Sequence, residues 1–177
     1  HETGHLIGLP DLFNAQFAQH PTADPAHDSA GIGSWGLMGW GATGWRGDDG
    51  PVAFCAWSRV RLGWAEQYTP RLPEEEIALV PPGAGGHVVR LPLSSIPREH
   101  FLLEHRTRSA SFYDRNIPGE GLLIWHLVGE ADGQMRLDLE SADGRWTDAG
   151  FPRGRQANPS RGGDNLDFWA HDEAYRQ

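Results

Sequence analysis

The chain has 177 residues, 38% of them hydrophobic and 10% aromatic, enough to fill one core and too apolar for a disordered chain. Its formal charge of −9, with 15 basic residues that are all Arg and form no run, argues against a nucleic-acid partner. No apolar run approaches the roughly 20 residues of a membrane-spanning helix, and a single cysteine, Cys55, excludes an intrachain disulfide.

Residues 1–5 read HETGH. On a helix, His1 and His5 stand one turn apart on one face and can hold a metal ion between them. Glu2 is then placed to take a proton from a water on that metal. Neutral imidazole is a good ligand for Zn²⁺, and hydrolysis needs three protein ligands with one position open. The same spacing also arises in helices that bind nothing. Gly8 falls where the helix can stop by adopting positive φ, and Pro10 forbids its continuation. A chain reversing at Gly8 brings the Asp11 carboxylate to the metal as third ligand; the plainer reading of Asp11 is a turn or cap residue.

A stretch rich in Pro, Ala and Asp follows, in which His20 and His27 are extra ligands or, more simply, solvated loop residues. Residues 31–41, GIGSWGLMGWG, are too glycine-rich for a helix and place Met38 in a tight turn. A methionine turn of this kind underlies the metal in several zinc peptidases, whereas alone it reads as core. Trp35, Trp40 and Trp45 line a cleft or belong to that core.

Gly50 and Pro51 open a segment with Ala53, Ala56, Trp57, Val60 and Trp64 at helical spacing, which predicts a helix over 51–63. Asp48 and Asp49 then supply negative charge at its N-terminus. Cys55, inside the apolar run AFCAW, reads as a buried thiol rather than a nucleophile.

From residue 65 the pattern changes to short β-type runs at 76–80, 87–93, 100–106, 121–128 and 135–141, divided by turn clusters such as PPGAGG and NIPGEG. These predict a mostly antiparallel sheet. RLDLE alternates and implies one wet face; GLLIW is continuous and implies burial on both. Glu104 and His105 are placed after a strand. His126, at the end of an apolar run, reads as a hydrogen-bonded structural residue, with substrate contact as the lesser alternative. Asp143 and Gly144 make a turn. Asp164 and Asp167 could offer carboxylates to Ca²⁺, or they form a solvated turn.

Taken together, HETGHLIGLPDLF, GSWGLMGWG, PVAFCAWSRVRLGW (51–64), FLLEHR (101–106), PGEGLLIWHL (118–127), LESADGRW (139–146) and GGDNLDFW (162–169) resemble the immune inhibitor A-type secreted zinc metallopeptidases, which are metzincin-like. The resemblance covers nearly the whole chain. It implies an α+β, zincin/metzincin-like fold in which residues 1–64 hold the active-site helix, the Met-turn and a following helix, and residues 65–177 form the β-rich part of the same domain. It implies Zn²⁺-dependent cleavage of protein or peptide substrates outside the cell, with His1 and His5 as ligands, Glu2 as general base and Met38 beneath the metal. Asp11 matches the third-ligand position, where metzincins more often carry His. The chain is then expected to be the C-terminal part of a catalytic domain whose upstream sheet it lacks. Two other readings stand beside this one: a non-catalytic binding or scaffold domain that has kept the peptidase fold, and a zinc amidase or esterase.

Overall fold

A computed structural model describes residues 1–14, 30–45, 49–93, 98–129, 135–142 and 163–169. His20, His27, Asp48, Asp143 and Gly144 lie outside these residues. Among the described residues, two short helices, α1 (Glu2–Leu6) and α2 (Ala56–Arg61), precede five strands, β1 (Glu66–Tyr68), β2 (His87–Pro92), β3 (Glu99–Arg106), β4 (Gly121–Gly129) and β5 (Met135–Glu140). The strands form one sheet in sequence order. The pairs β2–β3, β3–β4 and β4–β5 are antiparallel, and only β1 runs parallel to its neighbour β2. The fold is thus α+β with a mostly antiparallel sheet, as expected from the runs after residue 65.

Alternation decides which face is covered. Leu102 of β3, Leu123, Trp125 and Leu127 of β4, and Leu137 and Leu139 of β5 are all buried and point to one side. There they meet Leu9, Leu12, Ile32, Trp35, Met38, Val52, Cys55 and Ala56 in one continuous core. Residues on both sides of position 65 therefore share a single apolar interior, and Leu9, Leu12 and the described residues 30–45 and 52–56 pack against the inner face of the sheet.

Three expectations are corrected. GLLIW is not buried on both sides, because Leu122, Ile124, His126 and Val128 lie on an outer face that is only half-covered. The run 76–80 is not a strand. β1 already pairs with one edge of β2 and β3 with the other, so the run lies over the outer face, where the Leu79 carbonyl accepts a bond from His105 Nδ1 at 2.9 Å. Glu104 and His105 lie within β3, not after it.

The helix expected over 51–63 spans only Ala56–Arg61. Before it the backbone is extended at Cys55, and the Val52 N–H is given to the Gly41 carbonyl at 2.8 Å. The buried Glu104 carboxylate accepts from the Ala56 N–H at 3.2 Å and fixes the start of α2 there. Asp49 is consequently remote from the helix N-terminus; its carbonyl accepts from Arg115 Nη2 at 2.6 Å.

Candidate metal centre

The site is built by the way α1 ends. Gly8 takes φ +88°, a conformation that favours glycine. The Gly8 N–H bonds the His5 carbonyl at 3.0 Å and the Leu9 N–H bonds the Gly4 carbonyl at 3.1 Å, the pair of bonds that defines a Schellman cap. The chain reverses at this cap, and Pro10 and Asp11 come back past the helix. The reversal expected from Gly8 and Pro10 is therefore present.

It brings Asp11 Oδ1 to 2.9 Å from His1 Nε2 and 3.4 Å from His5 Nε2. The opposite ring nitrogens are both tied to backbone carbonyls. His1 Nδ1 lies 2.9 Å from Leu37 O and His5 Nδ1 lies 2.8 Å from Leu9 O. A carbonyl can only accept, so both Nδ1 atoms carry a hydrogen, and each Nε2 faces the carboxylate. The rings stand nearly perpendicular, at 85°, with centroids 4.9 Å apart. Ligand atoms of His1, Glu2 and His5 all lie within 4.8 Å of one another.

These residues suit a divalent metal. Ligand atoms bound tetrahedrally at about 2.0–2.1 Å stand about 3.3 Å apart, close to the 2.9 and 3.4 Å separations of Asp11 from the two imidazoles. Two imidazoles and a carboxylate form a donor set used by hydrolytic zinc, and the exposed side leaves a position open. The two carbonyls orient the rings through their Nδ1 atoms.

Met38 packs against α1 at Gly4. It is fully buried in the turn closed by the Gly39 N–H to Gly36 O bond of 2.9 Å. A Cβ at Gly4 would lie 2.4 Å from Met38 Sδ, so the thioether is pressed against α1 between the two histidines. The same turn supplies Leu37 O to His1, and Met38 O accepts from the Leu12 N–H at 2.9 Å, just beyond Asp11. One turn thus contacts the helix, a histidine and the returning chain.

Of the three tryptophans, Trp35 and Trp45 belong to the core. Trp40 is half-buried, with its ring 5.7 Å from Phe13, whose own ring lies 6.4 Å from His1. Cys55 is buried, and burial raises its thiol pKa, which does not favour a thiolate nucleophile. His126 lies between two carboxylates on the outer sheet face, with Nε2 2.6 Å from Glu99 and Nδ1 2.9 Å from Glu140. Asp167 accepts from Trp35 Nε1 at 2.6 Å, from Ser141 Oγ at 2.7 Å and from the Asp164 N–H at 2.9 Å, which makes it an anchor of the core.

Sequence reasoning missed the carbonyls of Leu9 and Leu37, since a backbone acceptor has no residue signature. It also missed the buried pair Glu104 and Arg106. Their signal was present: two charged residues in phase with Leu102 on the inward side of β3. Compared with known protein families, curated proteins and solved structures, the chain gives no match in any of the three.

Proposed function

We propose that the protein is a zinc-dependent endopeptidase of the metzincin-like kind, acting on protein or peptide substrates outside the cell. The observation that carries this reading is the convergence of His1 Nε2 and His5 Nε2 on Asp11 Oδ1, with both Nδ1 atoms tied to carbonyls. The motif resemblance described above supports it. Zinc held there would polarise the scissile carbonyl and acidify the attacking water. Glu2, exposed beside the two imidazoles, would serve as the base that takes a proton from water and returns it to the leaving amine nitrogen. Leu9 O and Leu37 O keep the rings aimed, and Met38 holds the height of α1. No residue needs to form a covalent intermediate.

The test is zinc stoichiometry and casein hydrolysis, on this chain and on one carrying sequence upstream of His1. About one zinc per chain is expected. Glu2→Gln should retain the metal and lose casein cleavage by about 10²-fold or more, while Asp11→Ala should lose metal affinity as well. Zinc binding without peptide release from any form would favour the scaffold reading, or an amidase or esterase if small amides or esters are cut. Absence of zinc binding in both chains would sink the proposal.

A further inference from the structure

We infer that the buried Glu104–Arg106 pair of β3 is a positioning device for the histidine site, acting through the Trp35 carbonyl on the turn that aims His1. The role assigned to that site rests on the hydrolase reading above, but the positioning itself can be measured without metal. Arg106 and Glu104 are only 2% and 1% exposed. Arg106 Nη2 donates to Glu104 Oε1 at 3.0 Å and to Phe54 O at 3.2 Å, and Nη1 donates to Trp35 O at 2.6 Å. Glu104 Oε2 in turn accepts from Ala56 N–H and from Trp125 Nε1.

Trp35 is held at both ends, its carbonyl by the guanidinium and its indole N–H by the Asp167 carboxylate. Gly36 alone separates it from Leu37, and Gly36 has little freedom. A Cβ there would meet Ile32 Cδ1 at 2.8 Å, and the Gly36 carbonyl is bound by the Gly39 N–H. A shift of Trp35 O is therefore carried to Leu37 O, and so to the bond that sets the His1 ring.

General stability does not explain the pair. Removing two charges from water carries a large desolvation cost, and apolar residues of similar size commonly serve as well or better. Among the described residues, Arg106 Nε and Asp114 Oδ1 have no hydrogen-bond partner and stand 3.9 Å apart, so the arrangement is not optimised as an ion cluster. What an apolar side chain cannot do is grip two carbonyls from separate segments and one carboxylate in a single rigid fork.

The experiment compares Arg106→Lys and Glu104→Gln with Leu127→Ala, a core change in β4 at the register of His100 and Leu137. Amide hydrogen exchange of metal-free protein is followed at Gly39 and Trp40 and along the β3–β4 ladder, and zinc affinity is measured by chelator competition. For the two pair variants, exchange at Gly39 and Trp40 should rise about tenfold beyond any rise along the ladder. Their zinc affinity should fall about 10–100-fold, as for loss of an outer-shell partner. Leu127→Ala should speed exchange globally and leave zinc affinity within about twofold. The inference is overturned if the turn amides in both pair variants exchange as in the parent, or only in step with the ladder. If Arg106→Lys does not fold, Glu104→Gln alone decides. A parent protein that binds no zinc, yet shows the local exchange pattern, defeats the hydrolase reading and leaves the positioning role standing.

Discussion

Gly4 and Gly8 lie one turn apart and constrain the site in opposite ways. At Gly4 the limit is space, because an added Cβ would fall 2.4 Å from Met38 Sδ. At Gly8 it is conformation, since φ is +88° and a Cβ would meet nothing within 4 Å. Gly8→Ala should therefore cost about 1 kcal/mol of left-handed backbone strain. Gly4→Ala should cost about 1–3 kcal/mol of overpacking and lift α1 from the turn. Urea unfolding gives both numbers, and only Gly4→Ala should weaken zinc binding by much more than its stability loss explains. Of these constraints, Gly8 was legible in the sequence, because a glycine followed by a proline after an apolar turn is a local signal. The tightness at Gly4 was not, since its partner Met38 is distant in the chain and nothing local records the contact.

At the scale of elements, α2 shows how a tertiary contact overrides local propensity. Pro51 and the spacing of Ala53, Ala56, Val60 and Trp64 favour an early start, yet the helix begins where Glu104 takes the Ala56 N–H. Removing that carboxylate exposes its importance. Glu104→Ala leaves the Arg106 guanidinium buried without its nearest anion and the Ala56 N–H unsatisfied, and should destabilise the fold by about 3–5 kcal/mol in urea or thermal unfolding. Strands β2 to β5 were legible because their apolar runs are bounded by turn clusters. β1 was not, because Glu66, Gln67 and Tyr68 carry no apolar alternation and earn their place only by pairing with His87, Val88 and Val89. The one-turn spacing of His1 and His5 was legible, whereas the carbonyls that orient them depend on a turn and a cap that only the fold brings into reach.

For the molecule as a whole, Asp114 sets a dependence of stability on pH. Burial raises its pKa above the ordinary carboxylate value, and the attraction of Arg106 only partly offsets this. The folded state therefore holds the Asp114 proton more tightly than the unfolded chain does, so this group's contribution is fully present below the unfolded pKa and is lost as pH rises through the folded one. Asp114→Asn should flatten that fall and leave the variant no less stable than the parent at neutral pH, as read from urea midpoints between about pH 4 and 7. Burial disfavours the charge of Arg106 too, by lowering its pKa, but there the Glu104 and Asp114 carboxylates outweigh it and keep the guanidinium protonated. A different consequence follows from the backbone of Gly31. Its carbonyl accepts the Leu139 N–H at 3.0 Å, the Ala142 N–H is taken by Asp167 O, and a side chain at Gly31 would collide with Leu12 O at 2.4 Å. The outer rim of β5 is thus plugged by the segment that leads into the methionine turn, and the opposite rim is β1, only three residues long. Among the described residues, the Gly31 carbonyl occupies β5 at Leu139 and β1 presents only three residues at the opposite rim, which limits strand-by-strand association between copies.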